Sequence, residues 1–187
     1  VYQGALPVQK YVHSMVKPGL PFPPLPEHPI SMLTDLMLEL GLLTGRKDDI
    51  IKSLEYKKYY PHGVSHYLGL DVHDAGFYIS KSSEPRPLEE NMVFTIEPGI
   101  YIPADDNTVA AEYRGIGIRI EDNVRVTHNG SENMTAKALK EISEMENVIG
   151  KLSEDSFIWH SRQSTDQYRE KAGTLLRARL LLVKSER

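Results

Sequence analysis

The 187-residue sequence contains no cysteine. This absence excludes a disulfide framework, a zinc site with cysteine ligands and catalysis by a thiol. The sequence also lacks any run of about 18 apolar residues, and no charged segment precedes a short apolar one at its beginning. It therefore predicts neither a membrane-spanning helix nor a signal peptide. Because the first residue is Val1 rather than Met, we expect a processed chain or a fragment.

Basic residues are fewer than acidic residues. Lys and Arg together number 22, against 26 Asp and Glu, and the formal net charge is −4. Such a balance argues against a partner as strongly negative as nucleic acid. A chain of this length can bury roughly 70% of the surface that it exposes when unfolded, so folding requires no disulfide or metal. We expect one domain.

The charge is unevenly spread along the chain. Residues 1–149 hold 14 basic and 21 acidic side chains, whereas residues 150–187 hold eight basic and five acidic ones. This change in sign predicts a boundary near Gly150. The basic segment 150–187 includes a short apolar patch and stays without an assignment.

Helical periodicity dominates the first third of the sequence. Residues 1–17 read as the end of an amphipathic helix, with Pro7 expected in its first turn. Six prolines within residues 18–29 predict an extended connector. A second helix is expected after Ser31, with Gly41 or Gly45 at its end. Asp48 and Asp49 are candidates to cap a third helix that runs towards Tyr59 and ends before Pro61.

The sequence beyond Pro61 changes to short apolar runs separated by glycine and proline. Residues 92–96 (MVFTI) predict a buried strand closed by Pro98 and Gly99. Residues 116–126 alternate apolar and polar side chains, which predicts one strand that presents Arg119 and Glu121 on the same face. Residues 135–149 predict a helix capped by Thr135.

Three of the seven histidines, His62, His66 and His73, fall within twelve residues. Two histidines four residues apart face the same way on a helix, as they do in many metal sites. Pro61 and Gly63 argue against a regular helix here, and half-buried imidazoles in a turn are the simpler alternative.

Two carboxylates stand out by their context. Glu97 ends a largely apolar strand, where a buried charge must be paired, protonated or bound to a cation; the alternative is a solvated strand end. Arg119 and Glu121 equally fit the water-facing side of a strand. Taken together, one imidazole and two carboxylates form a ligand set that suits Mn, Zn, Co or Fe(II). Pairs of such metals generate hydroxide near neutral pH.

Three segments in order carry a family resemblance: PHGVSHYLGLDVHD at 61–74, VFTIEPGIYIP at 93–103 and RGIGIRIEDNVRVT at 114–127. They resemble the metallopeptidases of the pitta-bread fold, in the aminopeptidase P branch that also includes proline dipeptidase. The resemblance is continuous over residues 1–149 and covers nothing after Gly150. It implies an α+β fold in which a curved antiparallel sheet is flanked by helices, and it implies that residues 1–149 are the C-terminal half of the catalytic domain, with the N-terminal half missing.

Position by position, the resemblance implies that His66, Glu97 and Glu121 are ligands of a two-metal centre. Glu121 would bridge the metals, and Glu97 would also take a proton from the attacking water. The expected cofactor is a pair of Mn ions, with Zn or Co as alternatives.

Further roles follow from the same resemblance. His73 is expected to face the substrate, His62 to relay a proton or orient another group, and Arg119 to lie close behind the metals. The implied reaction is hydrolysis of the bond between an N-terminal residue and a following proline, in a peptide anchored by its free amine. The implied compartment is the cytoplasm or the mitochondrion, and the parent protein is expected to be a homo-oligomer.

The chain departs from the family at two ligands. Family members supply two aspartates from strands that precede the segment matched here, and no aspartate of this sequence lies in a corresponding context. Three ligands in place of five predict weak metal binding and slow hydrolysis by this chain alone. The alternatives are a proline dipeptidase and a pitta-bread module that binds partners without catalysis. Retention of His66, Glu97 and Glu121 argues against the non-catalytic alternative.

Overall fold

A computed structural model describes residues 1–22 and 27–149. The predicted basic extension, 150–187, lies outside the described residues, as do Pro23, Pro24 and Pro26 of the connector. The helices are α1 (Tyr2–Met15), α2 (Glu27–Glu39), α3 (Lys47–Ser53) and α4 (Ile142–Val148). The strands are β1 (Val93–Ile96), β2 (Gly99–Tyr101), β3 (Gly117–Arg119), β4 (Asp122–Val126) and β5 (Ser131–Asn133). Short 3₁₀ turns occupy Glu55–Lys58 and Ala111–Tyr113.

The strands form two antiparallel sheets, one in the order β1-β4-β5 and one made of β2 and β3. Ile96 pairs with Asp122 at the end of the β1–β4 ladder. On its other side, β1 is joined by the segment 64–68: the amide of Glu97 donates to the carbonyl of Val64 over 2.8 Å, and that of Thr95 to the carbonyl of His66 over 2.9 Å. The predicted α+β class with antiparallel sheets and flanking helices is confirmed.

Two apolar clusters hold these elements together. The first joins α1, α2 and α3 to Ile100 and Ile120. The second packs Phe22, Phe94 and Val124 with neighbouring apolar side chains under the larger sheet. Helix α1 contributes buried residues to both clusters. It therefore fixes the two sheets relative to each other, and the predicted sites lie at the ends of their strands.

Two helix beginnings differ from expectation. Helix α1 starts at Tyr2, so Pro7 lies inside it and not in its first turn. An internal proline costs roughly 3 kcal/mol, and the buried face of α1 offsets this cost by packing. Helix α2 starts at Glu27, not after Ser31. Pro29 is tolerated there because the amides of a first turn need no partner within the helix.

Of the two predicted ends of α2, Gly41 or Gly45, the structure uses Gly41. Gly41 has φ of +67°, which glycine adopts without strain. Its amide donates to the carbonyl of Leu38 over 3.0 Å, and the amide of Leu42 donates to that of Met37 over 2.8 Å. These two bonds form a Schellman motif, which satisfies the last carbonyls of the helix.

Three further expectations are wrong in their boundaries. Helix α3 ends at Ser53, and Arg46 occupies its N-cap in place of Asp48 or Asp49. The alternating segment 116–126 is two strands in different sheets, so Arg119 and Glu121 do not share one strand. Helix α4 begins at Ile142 and not at Thr135, whose hydroxyl is bonded to Asp122.

Within the described residues, no helix combines the length and the apolar character that a bilayer crossing requires.

Candidate metal centre

Three separate segments deliver the candidate ligands to one place. His66 lies in the segment that joins the edge of β1, Glu97 follows β1 directly, and Glu121 lies between β3 and β4. Because Ile96 pairs with Asp122 in an antiparallel ladder, the next opposed positions are Glu97 and Glu121. One donor atom from each of His66, Glu97 and Glu121 lies within 4.8 Å of the others.

The ring of His66 is held in one orientation by its backbone neighbour. Its Nδ1 lies 2.9 Å from the carbonyl oxygen of Tyr67, and its Nε2 lies 3.0 Å from Oε1 of Glu97. A carbonyl only accepts hydrogen bonds, so Nδ1 carries the hydrogen and Nε2 faces Glu97. The contact between Nε2 and Oε1 then requires one more proton, which a bound cation would replace.

Glu97 is a nearly buried carboxylate, 6% exposed, and its position is fixed by several groups. The hydroxyl of Thr95 donates to Oε1 over 3.0 Å and accepts the amide of His66 over 3.1 Å. The guanidinium of Arg119 lies 3.6 Å from Oε2. Thr95 is absent from the predicted site residues. Its position two residues before Glu97 is the sequence feature that could have identified it, because side chains two residues apart lie on the same face of a strand.

Glu121 lies in a different environment. Burial raises the pKa of its carboxyl above the ordinary value, the nearby Glu97 carboxylate raises it further, and Arg119 and His66 lower it. Two carboxylates that face the same space repel each other when both are ionised. A divalent cation between them would remove that repulsion.

Tyr101 is the middle member of a second hydrogen-bonded group of side chains, which it forms with His62 and Arg119. Nδ1 of His62 lies 2.7 Å from the carbonyl of Gly63, so this nitrogen donates and Nε2 accepts. The Tyr101 hydroxyl therefore donates to Nε2 of His62 over 2.7 Å and accepts from Nε of Arg119, also over 2.7 Å. The sequence does not single out Tyr101. Its partners His62 and Arg119 lie 39 and 18 positions away, and no local pattern connects the three residues.

His73 lies on the open side of the cluster. Its exposed ring packs edge-to-face against the ring of His66, with centroids 4.3 Å apart. The six predicted site residues thus fall in one neighbourhood: His66, Glu97 and Glu121 converge, His62 and Arg119 join through Tyr101, and His73 covers His66. Their chemical roles remain predictions.

The converging donors fit a divalent metal ion. An imidazole nitrogen and carboxylate oxygens from three segments suit Mn, Zn or Co. The three residues include no sulfur ligand, which would favour softer metal ions. Within residues 1–22 and 27–149, the His, Asp and Glu side chains whose donor atoms lie within 4.8 Å of one another are His66, Glu97 and Glu121, and no aspartate belongs to this group.

Known proteins with related sequences and structures include several aminopeptidases. The sequence model of metallopeptidase family M24 matches residues 1–128. The Xaa-Pro aminopeptidase of Haemophilus influenzae is 40% identical over 149 residues, which are 80% of this chain and 34% of that protein.

Solved structures agree. The aminopeptidase PepP of Pseudomonas aeruginosa superposes with a TM-score of 0.75 at 41% identity, over 79% of this chain and 33% of that one. Zinc-substituted aminopeptidase P of Escherichia coli, in complex with product, superposes with a TM-score of 0.72 at 37% identity, over the same shares. The chain spans about a third of the length of these relatives.

Proposed function

The chain belongs to metallopeptidase family M24, and from this premise we propose that it contributes the metal-binding part of an aminopeptidase catalytic domain. In this proposal, residues 1–149 form the C-terminal half of that domain. The substrate is a peptide with proline at its second position, and the bond cleaved is the one before the proline. The related proteins are named for this Xaa-Pro specificity, which supports the assignment.

We assign the metal to Nε2 of His66 and to one carboxylate oxygen each from Glu97 and Glu121. Two Mn ions are the first candidates, with Zn or Co as alternatives. When bound, such a cation polarises the substrate carbonyl and lowers the pKa of water so that hydroxide is available near neutral pH. The convergence of the three donors within 4.8 Å is the single observation that carries the proposal.

Each side chain of the site has its own role in the proposed hydrolysis. Glu97 accepts a proton from the attacking water, and the hydroxyl of Thr95 holds its carboxylate in place for this step. The exposed ring of His73 donates a hydrogen bond to the oxygen that becomes negative at the tetrahedral carbon. Nε2 of His62 accepts the hydrogen bond of the Tyr101 hydroxyl and takes up a proton from that hydroxyl in the proposed relay, while Arg119 donates a hydrogen bond that holds Tyr101 in place.

A titration with Mn²⁺ tests the ligand assignment. We expect the wild-type chain to bind Mn²⁺ and Glu97→Gln to bind it at least tenfold more weakly, as measured by isothermal calorimetry and by the loss of the free Mn²⁺ electron paramagnetic resonance signal. Glu90→Gln makes the same chemical change at an exposed carboxylate three residues before β1 and should bind like the wild type. Equal binding by all three proteins would contradict the assignment.

The substrate proposal has its own assay. With Mn²⁺ present, the chain should release the N-terminal residue from a tripeptide with proline at position two slowly, as expected for three ligands in place of five, but faster than from the matching alanine tripeptide, and a chelator should stop the release. Release that ignores either proline or the chelator would contradict the proposal. A dipeptide arm, Xaa-Pro alone, separates proline dipeptidase activity from aminopeptidase activity.

A further inference from the structure

A second carboxylate lies immediately beside Glu121 in the sequence and is fully enclosed. Asp122, the first residue of β4, is 1% exposed. It occupies the position between Ile120 and Val124, two buried apolar residues on the same side of the chain. An isolated charge in such a row would cost several kcal/mol. The protein therefore keeps Asp122 only because other groups compensate for its burial.

The compensation comes from two distant parts of the chain. Nε2 of Gln9, in helix α1, donates to Oδ2 of Asp122. The hydroxyl of Thr135 donates to Oδ1 over 2.6 Å, and Nζ of Lys140 lies 2.8 Å from the same oxygen. The Thr135 hydroxyl also accepts the amide of Asn123 over 3.0 Å. Asp122 is thus clamped between α1 and the segment that follows β5.

Glu121 has no comparable support of its own. Within the part of the chain that the structure describes, no group donates a hydrogen bond to its carboxylate. Glu97, by contrast, is held by Thr95. The position of the Glu121 side chain therefore depends on where its backbone is fixed, and the nearest fixed point is the clamped residue 122, which pairs with Ile96 beside Glu97.

We propose that Asp122 and Thr135 are positioning residues for Glu121: their hydrogen bond sets the separation of Glu121 from Glu97 and thereby the affinity for a divalent cation. This inference rests on the proposed function, since it takes Glu121 as a ligand. It adds that Asp122 and Thr135, which would not contact the cation, control the affinity with which the cation binds.

Thr135 offers a cleaner test than Asp122. Replacing Asp122 would leave Lys140 without its buried partner and would change the charge beside the site. Thr135→Val removes the hydroxyl, keeps the shape of the side chain and changes no charge. Partners that orient a ligand typically contribute 10- to 100-fold to metal affinity, so we expect Thr135→Val to bind Mn²⁺ about tenfold more weakly. Thr135→Ser restores the hydroxyl and should recover most of the wild-type affinity.

The control is a threonine of another element whose hydroxyl is also hydrogen-bonded and which is more deeply buried than the half-buried Thr135. Thr34 of α2 is 0% exposed and donates its hydroxyl to the carbonyl of Ile30 over 2.7 Å. Thr34→Val should lower the free energy of unfolding by a similar amount and leave the Mn²⁺ affinity unchanged. Gln9→Met removes the donor on the other side of Asp122, and should also weaken Mn²⁺ binding several-fold. It serves as the test variant if Thr135→Val does not fold.

Mn²⁺ alone is the probe, followed by electron paramagnetic resonance, with circular dichroism used to confirm that each variant is folded. Weakened binding in Thr135→Val and Gln9→Met, rescue by Thr135→Ser and normal binding in Thr34→Val support the inference. Wild-type affinity in folded Thr135→Val and Gln9→Met overturns it while leaving the proposed function intact. An equal loss in Thr34→Val also overturns it, because the effect would then follow from stability. Absence of Mn²⁺ binding by the wild type overturns the proposed function itself.

Discussion

The two candidate carboxylate ligands are held in different ways. Glu97 is fixed through its own side chain, by Thr95 and by the contact with His66. Glu121 is fixed through its backbone, beside Asp122. Because both carboxylates face the same space, the separation between them depends on these two different supports.

Two neighbouring buried tyrosines give opposite predictions for stability. The hydroxyl of Tyr60 has no hydrogen-bond partner among the described residues, and burial raises its pKa. The hydroxyl of Tyr59 donates to Asp106 over 2.7 Å. A buried polar group without a partner costs about 1–3 kcal/mol, and a hydrogen bond contributes about 1 kcal/mol.

Tyr60→Phe should therefore raise the free energy of unfolding by about 1 kcal/mol, and Tyr59→Phe should lower it by about as much. Urea denaturation followed by circular dichroism measures both. A loss of stability in Tyr60→Phe equal to that in Tyr59→Phe would mean that the Tyr60 hydroxyl has a partner in solution.

At the scale of elements, the loop before the Ala111–Tyr113 turn is tied back to residues 58 and 59 by one carboxylate. Lys58 holds the pKa of Asp106 well below its ordinary value of 3.8, with further lowering by Thr108 and Tyr59. The unfolded chain therefore takes up the proton at a higher pH than the folded chain does. The stability that ionised Asp106 contributes is complete above the ordinary pKa and is lost as the pH falls through the lower, folded-state pKa.

Asp106→Asn should consequently be less stable than the wild type at pH 7, and the difference should shrink as the pH falls below about 4. Asp105→Asn, at the adjacent exposed position, is the control. Denaturation at a series of pH values checks this, and a difference that stays constant down to pH 2 would contradict it.

The elements themselves were only partly predictable from the sequence. The strand at 93–96 and the stop at Gly41 follow from local patterns, an apolar run and a glycine with positive φ. Helix beginnings were misplaced where packing outweighs local preference, as at Pro7. The helix expected from Thr135 starts only at Ile142, and the Thr135 hydroxyl bonds instead to Asp122, which is 13 residues away.

At the scale of the whole molecule, the candidate ligands could be picked out from the sequence, whereas the residues that support them could not. His66, Glu97 and Glu121 are marked by residue type and by the resemblance of three ordered motifs. Thr95, Tyr101 and Asp122 act through contacts that depend on strand register and on how α1 packs. Such contacts join positions up to 113 residues apart, and no local pattern reports them.

Metal binding should also be visible in the stability of the whole chain. A ligand that binds only the folded state at a concentration 100 times its Kd raises the free energy of unfolding by about 2.7 kcal/mol. We expect Mn²⁺ at that excess to raise the melting temperature of the wild type by several degrees and to leave that of Glu97→Gln nearly unchanged. Glu90→Gln should respond like the wild type. The same shift in Glu97→Gln would mean that the ion binds elsewhere.

The most direct measurement is a crystal structure of the chain grown with Mn²⁺, with data collected for the anomalous signal of manganese. The account predicts an anomalous peak about 2.0–2.3 Å from Nε2 of His66 and from carboxylate oxygens of Glu97 and Glu121. A peak bound by other residues, with these three side chains free of metal at saturating Mn²⁺, would contradict it.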